Sequence, residues 1–252
     1  MAELKNTQWL KINDMVTDIY NINGLTEMRK AFLEKIRLLI PFQKAFFDLC
    51  SEKSGKRSFF DPVAADIPEE SLKEYYATFE EVDYTAWVLT QNVALSYRDT
   101  DILPPALREN SVFFCKWLMP MGIFYEGGCN IAYNGIVYGS VTLMRAKSAG
   151  DFTDAELYML NILNQHMCRR FSNEFPNGID RQAVGTKYPG LVSRYGLTMR
   201  EYEILCLIKG GLSNREISEK LFISENTTKK HIWHIFKKLN ISSRAQVLKF
   251  FR

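Results

Sequence analysis

Apolar residues recur at helical spacing in two stretches near the start of the chain: Trp9, Ile12, Val16 and Ile19, then Leu25, Met28, Phe32, Ile36 and Leu39, where Pro41 stops the second helix. The period then changes. Ala45 to Cys50 reads as a strand, Ser58 to Phe60 as a second one, and Pro68 to Phe79 as a short helix opened by Pro-Glu-Glu. Glu81 to Met119 is aromatic-rich and follows neither period. Cys129–Tyr133 and Ile136–Met144 flank Asn134-Gly135, a pair that accepts the positive φ of a two-residue hairpin turn. Phe152-Thr153-Asp-Ala-Glu156-Leu157 then carries a capping box and opens a helix over Thr153–Glu174.

Pro176 to Gly190 has loop chemistry and no apolar period, and reads as a linker. Beyond it the capping logic recurs. Thr198 with Glu201 starts a helix running to Lys209, and Gly210-Gly211 supplies the left-handed residue that ends it. Ser213 with Glu216 starts a short helix to Leu221, Phe222-Ile223 makes a brief turn, and Ser224 caps a third helix to about Asn240. Two helices across a tight turn are the geometry that places the second in a DNA major groove. On that helix Thr228, Ile232, Ile235 and Leu239 form one apolar stripe with Phe236 beside it, while Lys229, Lys230, Trp233 and Lys237 fall opposite.

Charge sharpens the division. From Gly190 to Arg252 there are 12 Lys and Arg against 5 Asp and Glu, a net +7; the part before it has 20 against 24, a net −4. A basic tail on a mildly acidic body points to one domain that meets a polyanion. The expected organisation is a sensor over residues 1–175, a linker over 176–190 and a DNA-binding domain over 191–252.

Other chemistry is sparse. Five scattered cysteines include no CxxC pair, so buried free thiols are expected. His231 and His234 lie three apart on one expected helix with no third ligand near, so no metal site is expected, and no cofactor is implied. The start of the chain has no secretory pattern. The apolar run Val112–Tyr125 is broken by Lys116 and Pro120 and is too short to span a bilayer, so no membrane association and a cytoplasmic location are expected.

Taken as a set, Leu197-Thr198-x-Arg200-Glu201-x-Glu203-x-Leu205, Gly211-x-Ser213-Asn214-x-Glu216-Ile217, Leu221-x-Ile223-Ser224-x-x-Thr227-x-Lys229-x-His231 and Lys238-Leu239-x-Ile241-x-x-Arg244 closely resemble the DNA-binding domain of LuxR/FixJ regulators. The resemblance implies a four-helix all-α domain that binds double-stranded DNA and works with RNA polymerase. It implies base reading by Lys229, Lys230 and Trp233, and backbone contacts from Ser213, Asn214, Thr227 and Lys237. It also implies a fourth helix, Ser243 to Phe251, that pairs two subunits through Val247 and Phe251. The family usually has Val where this chain has Thr228; a Thr there can return its hydroxyl to the carbonyl four residues back.

Upstream, Pro120–Tyr125, Gly135–Met144 and Asp151–Leu157 resemble the second half of a GAF domain. That implies an α+β sensor, a GAF- or PAS-like sheet flanked by helices. A PAS-type or autoinducer-binding domain of similar layering is the open alternative. Such a domain holds a pocket for a small-molecule effector, with Tyr84, Trp87, Phe113, Trp117, Tyr125 and Tyr133 as candidate lining. On the long helix before the linker, Met159, Ile162 and Cys168 lie off the main stripe and are expected to pair subunits of a homodimer. The expected function is a ligand-controlled transcription regulator with no catalytic residues. The competing readings are a cysteine-dependent reductase of the GAF type, using Cys115 or Cys129, and a module that binds protein.

Overall fold

Five antiparallel strands come together in the order β2-β1-β5-β4-β3. They are β1 Lys44–Lys53, β2 Lys56–Ala65, β3 Leu95–Arg98, β4 Tyr125–Tyr133 and β5 Ile136–Arg145. The computed structural model describes residues 4–53, 55–179 and 195–251, and the chain divides into two units, Met1–Ala183 and Val184–Arg252. Most of the expected linker, 180–190, lies outside the described residues.

The β4–β5 hairpin turns at Asn134 and Gly135, with φ of 50° and 83°. Both are positive, as a tight hairpin of this twist demands. The first hairpin is longer than the apolar alternation predicts. Asp61 takes φ 51° and the β1–β2 register slips between Phe47 and Leu49, so the alternation of β2 is broken mid-strand. Pro62 is tolerated because β2 is an edge strand, where a missing N–H costs no ladder bond.

Both faces of the sheet are covered. On one lie α1 Asn6–Asn21, α2 Leu25–Ile36 and α6 Asp154–Glu174. Phe47 on β1 meets Phe32 of α2 and Phe171 of α6, at ring separations of 5.8 and 6.2 Å. Helix α6 packs on the sheet with one side and on α1 with another. Met159 and Cys168 are therefore buried inside their own unit, which corrects their expected role as a subunit-pairing face; only Ile162 of the three is partly exposed. The Thr153–Glu156 capping box forms as expected.

The other face is roofed by the stretch between β2 and β4. It contains α3 Glu69–Glu74, α4 Ala86–Leu89 and α5 Pro105–Arg108, with single π turns at Tyr75–Phe79 and Phe114–Leu118. Leu72, Tyr75, Phe79, Phe113, Phe114 and Trp117 pack from this roof onto Phe46 and Met144 of the sheet.

The second unit is helical: α7 Met199–Lys209, α8 Asn214–Leu221, α9 Glu225–Leu239, and a 3₁₀ helix Arg244–Phe251 where a fourth helix was expected. Thr198 and Ser213 form the expected capping boxes and Ser224 caps α9 through the Thr227 N–H; each such cap contributes about 1 kcal/mol. Gly211, Phe222 and Asn240 take positive φ at the three helix ends. Ile204, Leu205, Ile217, Ile235, Leu239 and Val247 form the core.

Candidate nucleic-acid interface and effector site

Helix α9 presents two chemically opposed sides. Thr228, Ile235 and Leu239 are buried against α7 and α8, with Ile232 and Phe236 partly buried beside them. The Thr228 hydroxyl donates to the Ser224 carbonyl at 3.3 Å, so a polar side chain sits in the core without an unmet bond. Lys229, Lys230, Trp233 and Lys237 lie on the exposed side. Trp233 is 58% exposed, and Lys237 Nζ stands 5.1 Å from its ring centroid in a cation–π contact. Lys229 Nζ is 4.0 Å from Glu225 Oε2, one turn back.

Of the residues expected to hold the DNA backbone, Ser213, Asn214 and Thr227 sit at helix starts and Lys237 lies in the last turn of α9. Ser213 caps α8; its hydroxyl donates to Glu216 Oε2 at 2.7 Å and accepts from the Glu216 N–H at 3.3 Å. Asn214 Oδ1 accepts from Arg244 at 2.9 Å, which leaves the Asn214 amide N–H groups to donate outward. Arg244 also donates to the Leu212 carbonyl, so one guanidinium from the 3₁₀ segment braces the entry to α8. Thr227 Oγ1 lies 2.8 Å from Ser224 Oγ at the start of α9. The positive ends of α8 and α9 thus carry hydroxyl and amide groups suited to phosphate oxygens.

Val247 is fully buried in the core of its own unit. That corrects its expected place on a subunit-pairing surface: Val247 packs with Ile204, Leu205, Ile235 and Leu239 in the core, and Leu248 beside it is exposed. The side chain of Phe251 lies outside the described ones.

In the first unit, three of the six expected pocket residues come together. Tyr84 meets Phe113 edge to face at 5.4 Å, and Phe113 stacks on Trp117 at 5.3 Å. Tyr125 packs on Phe124 nearby, and Arg108 lies over both rings. Trp87 is largely exposed. Tyr133, at the hairpin end of β4, accepts from Arg169 of α6.

Beneath this roof lies a group of buried acids that periodicity did not single out. Asp48 accepts from Ser140 Oγ at 2.6 Å and Tyr76 at 3.0 Å; burial pushes its carboxyl up to about 7 against these hydrogen bonds. Asp99 accepts from Arg108 and Tyr84, each at 3.0 Å, and burial still raises it to about 6. Asp83 accepts from Tyr75 at 2.7 Å and from Thr85. Glu126 accepts from Tyr97 at 3.0 Å. Burial, then Asp83 and Asp99, drive the Glu126 carboxyl well above its ordinary range. The available signal was a lone acid in an apolar strand: Asp48 in Ala45–Cys50 and Glu126 at the start of β4.

Among the described residues no three His, Cys, Asp or Glu are placed to hold a metal ion, and no helix is long and apolar enough to cross a membrane. Cys129 is fully buried and burial holds its thiol well above the usual range, so it is no thiolate at neutral pH. The Cys115 thiol donates to the Glu109 carbonyl.

Residues 196–251 match the family described as bacterial regulatory proteins, luxR family. Two curated relatives align over part of the chain. The transcriptional regulatory protein LiaR of Bacillus subtilis is 56% identical over 50 residues, 20% of this chain and 24% of its own length. The oxygen regulatory protein NreC of Staphylococcus carnosus is 38% identical over 88 residues, 35% of this chain and 39% of its own. This chain thus spans well under half the length of these relatives. Among solved structures, Escherichia coli SdiA matches 96% of this chain and 95% of its own at 17% identity and a TM-score of 0.44. The GAF domain of the Acinetobacter phosphoenolpyruvate-protein phosphotransferase matches 70% and 99% at 12% identity and a TM-score of 0.47. The capped helix pair, the dry stripe of α9 and the match over 196–251 agree: the C-terminal unit belongs to the luxR family of bacterial regulatory proteins and carries its helix-turn-helix.

Proposed function

We propose that this chain is a cytoplasmic transcription regulator that acts as a homodimer on a specific sequence of double-stranded DNA. The single observation that carries the reading is the division of α9, with Thr228, Ile235 and Leu239 in the core and Lys229, Lys230, Trp233 and Lys237 facing out. In this reading Lys229, Lys230 and Trp233 meet base edges, while Ser213, Asn214, Thr227 and Lys237 hold phosphates and fix the register. The regulatory names of LiaR and NreC support it, and RNA polymerase is the partner that follows. The N-terminal unit takes a small-molecule effector under its aromatic roof; the buried acids and the paired π turns support this, because π turns gather at functional sites.

Selection of bound duplexes from a random pool tests the reading. Enrichment of a two-fold symmetric motif, with affinity falling steeply as salt rises, is expected. Failure to enrich any sequence at low salt overturns it.

A further inference from the structure

The buried acids of the N-terminal unit are unequally matched by cations. Asp99 has Arg108 at 3.0 Å, and Asp48 lies in the field of Arg29. Asp83 and Glu126 share one hydroxyl, Thr85 Oγ1, at 2.8 and 3.1 Å, and among the described residues neither acid forms an ion pair with a Lys, Arg or His. A single hydroxyl proton cannot serve both carboxylates. With Thr85 donating to Asp83, the second contact needs a proton on Glu126, so the pair is a proton-sharing one. Glu126 Oε2 is left without a hydrogen-bond partner among the described residues, on a side chain that is 1% exposed. An orphaned carboxyl oxygen in a dry site costs stability unless something arrives to meet it.

The surroundings specify what that is. Tyr97 and Tyr75 hold the two acids from the sheet and the roof, and Trp117 lies 4.8 Å from the Tyr75 ring. Aromatic faces beside an acid pair that has no ion-paired cation suit an ammonium group. We propose that the effector is a small primary amine with an apolar body, its ammonium on Glu126 Oε2 and its body among Tyr75, Tyr84, Phe113 and Trp117. This rests on the effector reading above and names the ligand class for that site. Binding exchanges one cation for another: protonated Glu126 and R–NH₃⁺ give the carboxylate–ammonium pair and one proton released to solvent. Asp83, Asp99, Tyr75, Tyr84, Tyr97 and Thr85 are the titratable and hydroxyl groups that act with Glu126, and the nearby Arg108 is committed to Asp99.

Calorimetric titration of the full chain with a panel of aryl and alkyl primary amines, and with the alcohol and carboxylate of each same skeleton, tests this. Amines are expected to bind with release of about one proton, read from buffers of different ionisation heat, and to tighten about tenfold per pH unit while Glu126 remains protonated. The alcohols are expected to bind roughly tenfold or more weakly. Glu126→Gln is expected to abolish the preference for amines and leave alcohol binding in place. The amine–alcohol comparison and the proton count need no variant, so misfolding of Glu126→Gln leaves the test intact. Alcohols or carboxylates binding as tightly as amines, or amine binding without proton release, overturns the proposal and leaves the effector reading standing. No binding by any member of the panel overturns both at this site.

Discussion

Lys238 on α9 donates to Glu201 Oε2 on α7 at 2.7 Å, and the same oxygen accepts the Thr198 N–H at 2.7 Å. One carboxylate therefore caps the first helix of the C-terminal unit and anchors the last turns of α9. Burial alone would raise the Glu201 carboxyl, but the bonds from Lys238 and Thr198 outweigh it and hold it below the usual range. Stability from such a group is complete at neutral pH and is lost as pH falls through the folded value. Lys238→Met is expected to lower the stability of this unit by about 1.5–3 kcal/mol at pH 7. Urea melts at neutral and acid pH check this: the deficit should shrink in acid, and a pH-independent deficit would mean that lost packing is the cause.

The N-terminal unit should answer pH with the opposite sign. Asp48 and Asp99 titrate at about 7 and about 6 in the folded protein, raised chiefly by burial. The folded state then binds more protons than the unfolded one, so stability falls as pH rises from the unfolded carboxylate range through these values. Trp233 is the one tryptophan of the C-terminal unit, so Trp233→Phe makes tryptophan emission report the N-terminal unit alone. Its melting temperature should drop between about pH 5 and pH 8, and Asp48→Asn should flatten part of that slope.

Arg108 and Asp99 are both almost fully buried, and Arg108 also donates to the Phe124 carbonyl. Removing one partner strands the other. Arg108→Met is expected to cost about 3–5 kcal/mol, read as a lower denaturant midpoint in equilibrium unfolding. The double variant Arg108→Met with Asp99→Leu should recover much of it, because the charge left behind is gone too.

On DNA, Lys229 and Lys237 should differ in kind. Lys229→Ala is expected to cost about 1–3 kcal/mol on the selected sequence and to relax preference at one position. Lys237→Ala should weaken all sequences alike and reduce the salt slope by about 1. Fluorescence anisotropy with selected and scrambled duplexes over a salt series separates the two. Unchanged binding in both variants would remove this face from the interface.

The Lys237–Trp233 contact makes a separate claim. Trp233 braces Lys237 from below, so Trp233→Ala should reproduce part of the non-specific loss of Lys237→Ala, and the double variant should fall short of the sum.

How much of this was legible in the chain depended on how local each determinant is. The boxes at Thr153, Thr198 and Ser213 act over three residues, and Asn134-Gly135 turns the hairpin by its own backbone preference, so these elements stand where the pattern places them. The two sides of α9 follow from a 3.6-residue period alone, and with them the proposed DNA face. Long-range partners decided the rest. Met159 and Cys168 looked outward on a helical wheel but are buried, because α6 is covered by both the sheet and α1. Val247 is buried because the last segment packs onto the apolar core of its own unit. The acids Asp48, Asp83, Asp99 and Glu126 come from the sheet and from a roof with no clear period, and only the folded chain brings them under the same aromatic rings. Local backbone energetics determined the elements and the face of α9; burial and shared protons between distant side chains, which no window of sequence contains, decided which groups carry the chemistry.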